Sequence, residues 1–124
     1  MKKAKILLIL LMAVTFSSFA YSDGISVYQT YKGSSYKQKI YSSATYNYVT
    51  YHLHIQGTGP GCLAWAKIQL DYGVVGYLWD HGFINLFRSA SNHNEGSDII
   101  LEVYASKGFD DNYGTALSEA SVSW

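Results

Sequence analysis

The stretch ATYNYVTYHLHI, residues 44–55, alternates without a break, and its reading governs the rest of the chain. Its odd positions Val49, Tyr51, Leu53 and Ile55 make an apolar face. Its even positions Tyr46, Tyr48, Thr50, His52 and His54 make a polar-aromatic one. Successive side chains of a strand leave opposite faces, so a period of two marks a half-buried β-strand. A helix would need apolar residues at spacings of three and four, and no long run after Ser22 supplies them.

Working outward, Gly57-Thr58-Gly59-Pro60-Gly61 reads as the end of this strand. Pro60 has no N–H for a ladder, and the glycines admit positive φ. Residues 62–71 alternate again, with Cys62, Ala64, Ala66, Ile68 and Leu70 on one face and Leu63, Trp65, Lys67, Gln69 and Asp71 on the other. Tyr72-Gly73 reads as a tight turn and Asp80-His81-Gly82 as a three-residue hairpin loop. Polar loops are expected at 89–97 and 108–114. Strands are expected at about 25–31, 36–41, 44–55, 62–71, 74–79, 83–88, 98–106 and 115–123. Eight short strands with hairpin-length links predict an all-β fold: a single antiparallel β-sandwich or flattened barrel.

The first 22 residues read differently. Lys2, Lys3 and Lys5 precede the apolar run Ile6 to Val14, and small or polar residues follow at Ser17, Ser18, Ala20 and Ser22. That order is a cleavable signal peptide, residues 1–22, with cleavage after Ala20 as the runner-up. The apolar run is too short for a spanning helix of about 20 residues, so no stable membrane anchor is expected. The domain is then residues 23–124, secreted or periplasmic, and the short lysine-led start fits a bacterial chain.

Export changes the charge balance. The whole chain has nine basic and nine acidic residues; losing three lysines leaves 9 − 3 = 6 basic against 9 acidic, a net of −3. A nucleic-acid partner needs a basic surface, so that class is disfavoured despite Lys32, Lys37 and Lys39. Cys62, the only cysteine, rules out an internal disulfide and reads as a buried thiol rather than a bridge between chains. Stability must then come from sheet packing, to which 12 tyrosines, 3 tryptophans and 5 phenylalanines bring large apolar areas.

No catalytic or cofactor motif is present: there is no G-x-S-x-G, and nothing fixes the spacing of acids such as Asp71, Asp80 and Glu102. His52 and His54 leave one strand face together, which is half of a metal site. Packing and hydrogen bonding on a tyrosine-rich face explain them better, so neither metal nor cofactor is expected. The Asp110-Asp111-Asn112 and Asn92-to-Asp98 loops read as turns rather than calcium sites. Seven tyrosines between Tyr28 and Tyr51 cannot all face a core at period two. Exposed aromatics beside polar groups bind sugar rings or partner proteins. The expectation is a non-catalytic binding domain that presents Tyr46, Tyr48, His52 and His54, with Trp65, to a glycan, an envelope surface or an extracellular protein. A small secreted antagonist, such as a bacteriocin or toxin, and an extracellular inhibitor are the alternatives.

Overall fold

The computed structural model describes residues 21–108 and 114–124. Most of the expected signal peptide, residues 1–20, and the Asp110-Asp111-Asn112 loop lie outside the described residues. The described chain is all-β, with six strands: β1 (Ser22–Gln29), β2 (Gly33–Tyr41), β3 (Val49–Leu70), β4 (Gly73–Asn92), β5 (Ile99–Lys107) and β6 (Ala116–Ser123). Every described pairing is antiparallel. The order is β1-β6-β3-β5-β2, with β4 lying along β3, and the sheet is barrel-like and nearly closed.

Six strands replace the expected eight because two breaks expected from sequence are bends. β3 runs for 22 residues straight through Gly57 to Gly61. Between the pairs Thr58↔Phe83 and Leu63↔His81, β3 advances five residues while β4 advances two. The surplus on β3 is three, an odd number, so the strand's alternation reverses across the bulge. Val49, Tyr51, Leu53 and Ile55 face the core before it; Cys62, Ala64, Ala66, Ile68 and Leu70 face the core after it. Pro60 sits in the bulge, where β4 asks nothing of its missing N–H. Gly57 is required there: a Cβ would stand 2.5 Å from the Gly82 carbonyl oxygen and 3.0 Å from Cys62 Cβ.

The Asp80-His81-Gly82 hairpin loop is also absent, and β4 continues through it with Gly82 at φ 85. Turn-type residues permit a bend as readily as a reversal, and here the ladder to β3 decides between them. At the other end the expected strand from 44 starts late, at Val49. Ser43 (φ 60) and Thr45 (φ 47) take left-handed backbone, and Tyr46 meets Gly96 in an isolated bridge.

The bend partitions the neighbours of β3. Its first half, Thr50–Gly57, pairs with β6, and its second half, Cys62–Leu70, pairs with β5. β5 and β6 thereby face each other across a core of Ile55, Leu53, Ile68, Leu101, Val103 and Val122, each at most 1% exposed. Side chains close the seam between β1 and β2. Asp23 accepts from the Lys39 ammonium and from the Tyr41 hydroxyl at 2.7 Å, and Ser35 donates to Gln29 Oε1 at 2.6 Å. Tyr21 continues the β1–β6 ladder, trading both backbone hydrogen bonds with Trp124 and stacking on its indole. Cys62 is a buried thiol whose S–H meets the Thr115 carbonyl at 3.4 Å. Among the described residues, no helix is long and apolar enough to cross a membrane.

Candidate functional site

The five residues singled out by sequence do not form one face. Tyr46 belongs to the core: it is 3% exposed, and its hydroxyl donates to Asp71 Oδ2 at 2.8 Å. Burial, then the Asp71 carboxylate, push its hydroxyl up to about 12. The left-handed Thr45 turns Tyr46 out of the alternation it shares with Tyr48 in the sequence, which is why a period-two reading misplaces it. A surface role for Tyr46 is thereby corrected.

Tyr48, His52 and His54 do face outward, on the half of the sheet formed by β6, β3 and β4. Tyr48 donates to Ser91 Oγ at 3.1 Å, packs its ring on His93, and has its pKa lowered by Ser91 and then Thr50. His52 Nδ1 meets Ser89 Oγ at 2.6 Å. His54 Nδ1 meets Glu119 Oε2 at 3.0 Å, and its ring lies 3° from parallel to Phe87 with centroids 4.1 Å apart. An open groove of about 490 Å³ runs over these groups, floored by His52, His54, Phe87, Ser89 and Glu119. Among the described residues, no group of three or more His, Cys, Asp and Glu side chains is placed to hold a metal ion.

Trp65 lies beyond the bend, on the other half of the sheet, and is the centre of a different assembly. Tyr36 of β2 is opposite Tyr104 of β5, Tyr104 is opposite Trp65 of β3, and Trp65 is opposite Trp79 of β4. Four aromatic residues therefore occupy one row of register positions across four adjacent strands. Directly opposed residues of an antiparallel pair share a face with Cβ atoms about 5 Å apart. Trp65 and Tyr104 stack with centroids 5.7 Å apart and 11° between planes. Tyr36 and Tyr77 meet Trp65 at 5.9 Å and 6.4 Å. Tyr36, Tyr77 and Trp79 are each about half exposed.

A polar row runs beside the aromatic one. Lys67 Nζ sits 5.7 Å from the Trp65 ring and 3.6 Å from Glu102 Oε1. The Tyr36 hydroxyl donates to Glu102 Oε2 at 3.0 Å; partial desolvation, then this carboxylate, raise it above the ordinary phenol range. Sequence reasoning found Trp65 by its shared parity with Lys67 and Gln69, and missed Tyr36, Tyr104 and Trp79. Parity gives the face of each residue on its own strand; which residues meet across strands is set by register, which local patterns do not carry. Of the seven tyrosines from Tyr28 to Tyr51, Tyr28, Tyr31 and Tyr36 are exposed, while Tyr46 and Tyr51 are buried.

No protein-family model matches the chain, and no curated protein matches it. Among solved structures, the carbohydrate-binding module CBM36, in complex with calcium and xylotriose, is 13% identical. That match covers 82% of this chain and 87% of that one, with a TM-score of 0.36. The EclA C-terminal domain, a sugar-binding protein, is 14% identical over 81% of this chain and 78% of that one, with a TM-score of 0.43. Aeromonas hydrophila PliG, a periplasmic lysozyme inhibitor of g-type lysozyme, is 11% identical over 86% and 88%, with a TM-score of 0.38. At these values the likenesses assign this chain neither a family nor a ligand.

Proposed function

We propose that the protein is an exported, non-catalytic binding domain that engages a glycan along the row Tyr36, Tyr104, Trp65 and Trp79. The observation that carries this reading is the register that aligns these four residues across β2, β5, β3 and β4. Sugar rings present apolar C–H faces and polar edges, and a site for them combines aromatic platforms with a few placed polar groups. Three strand spacings of nearly 5 Å make the row about 14 Å long, room for a short run of consecutive rings. Lys67 and Glu102 supply a donor and an acceptor along its edge. The non-catalytic reading is supported by the state of Glu102, which is bonded to Lys67 and Tyr36 instead of facing a second acid. Export rests on the signal-peptide pattern of residues 1–22.

The test is retention of the purified domain on insoluble cell-wall and plant polysaccharides, with tryptophan fluorescence followed against soluble glycans. The wild type is retained on at least one polysaccharide, and Trp79→Ala, at the end of the row, weakens retention about tenfold, the scale of losing one aromatic anchor. Tyr48→Phe, on the other half of the sheet, leaves it unchanged. No retention together with unmoved fluorescence overturns the proposal, and so does equal binding by Trp79→Ala.

A further inference from the structure

β4 is hydrogen-bonded along one side only, to β3, over its 20 residues. Its other side offers a row of backbone N–H and C=O groups with no strand beside it among the described residues. Sheets usually protect such an edge with lysine, proline or short length. The sequence GVVGYLWDHGFINLFRSASN has no lysine and no proline, and it is long. Its outward side chains include Tyr77, Trp79, Phe83 and Phe87, between 48% and 77% exposed.

The charges of this strand identify what fits beside it. It holds one acid, Asp80, and one base, Arg88, placed four residues either side of Ile84. Both lie on the same side of the strand, since their partners on β3, Ala64 and Leu53, are core residues. Turned antiparallel against a copy of itself about a two-fold axis at Ile84, β4 sets Asp80 opposite Arg88 of the partner subunit, and the symmetry makes that pair twice. We propose that two copies of this chain join edge to edge along β4 in this register. In this register residues 76–92 of each copy oppose each other, 92 − 76 + 1 = 17 a side, close to the lower end of the roughly 20–30 of a standard protein interface. Closed two-fold pairing also uses up both free edges at once, so it stops at a dimer.

The dimer gives each copy something it lacks alone. In this register Trp79 stands opposite Ser89 of the partner subunit and His81 opposite Phe87 of the partner subunit. The half of the sheet holding the aromatic row is then continuous with the partner's half holding the His52 and His54 groove. The two candidate regions, separated within one chain by the bend of β3, become neighbours across the two-fold axis.

Sedimentation velocity of the folded domain, with Asp80→Arg, Arg88→Asp and the double exchange, tests both the dimer and its register. The wild type sediments as a dimer at micromolar concentration. Each single change sets like charges opposite each other twice and weakens association about tenfold, and the double exchange restores it. Circular dichroism of each variant shows a folded β domain. A wild type that stays monomeric overturns the proposal, as does a dimer indifferent to the single changes or not restored by the double exchange. The measurement contains no glycan, so this inference and the proposed function stand or fall separately.

Discussion

Asp71 receives the Tyr46 hydroxyl at 2.8 Å, and the same carboxylate accepts the backbone N–H groups of Ser97, at 2.8 Å, and Asp98, at 3.1 Å. One side chain in the β3–β4 turn thereby pins the segment before β3 and the segment before β5. Removing the hydroxyl leaves the ring in place and takes one buried bond away. Tyr46→Phe is expected to lower unfolding stability by about 1–2 kcal/mol, measured by urea denaturation. It leaves the glycan retention proposed for the aromatic row unchanged, because Tyr46 is a core residue.

Acid weakens the fold through two carboxylates. The Lys39 ammonium, then the Tyr41 hydroxyl, hold Asp23 down at about 2. Hydrogen bonds from Asp98, Tyr46 and Ser97 hold Asp71 below its ordinary value. A carboxylate whose folded value is depressed binds protons more readily when unfolded, so its stabilisation is complete above the unfolded value near about 4 and is lost as pH falls below that. Melting temperature should therefore be flat near neutrality and drop between about pH 4 and 2, with Asp23→Asn flattening the lower part of that drop. A Tm that falls equally in the Asp23→Asn variant contradicts this account.

Thr45 holds a φ of 47 on an exposed loop, a conformation that costs a β-branched residue more than it costs asparagine or glycine. Thr45→Asn is expected to raise stability by about 0.5–1 kcal/mol in the same denaturation experiment. Destabilisation by this change would show that the threonine side chain contributes more than its backbone costs.

At the bulge the opposite holds. Gly57→Ala drives a methyl into the Gly82 carbonyl oxygen, an atom of backbone that cannot step aside cheaply. A loss of about 3 kcal/mol or more is expected, read as a fall in the denaturation midpoint. A near-neutral result would mean that β3 and β4 separate at the bend more easily than their ladder implies.

These cases mark what the sequence made legible. Alternation gave the faces of residues 49–55 and 62–70 correctly, because burial on one side imposes a period of two whatever the partner strand. The count of strands was not legible: Gly57 to Gly61 and Asp80 to Gly82 carry the residues that both turns and bends require. The difference lies in the ladders to partner strands, the distant β5 at Trp65↔Tyr104 and the neighbouring β4 at Trp65↔Trp79. The same register assembles the aromatic row, so Trp65 was visible as a candidate and its three companions were not. Tyr46 was misplaced for a local reason, since two non-glycine residues in left-handed backbone break a pattern that looks continuous on paper.

Among the described residues β1 pairs only with β6, and Ser22 and Ser123, opposite each other in that ladder, are 101 residues apart in the chain. Closing so long a loop comes late, after nearer contacts have formed. A chain emerging from a ribosome carries β1 without this mate until β6 follows it. The first strand of the barrel therefore gains its ladder partner only from the last.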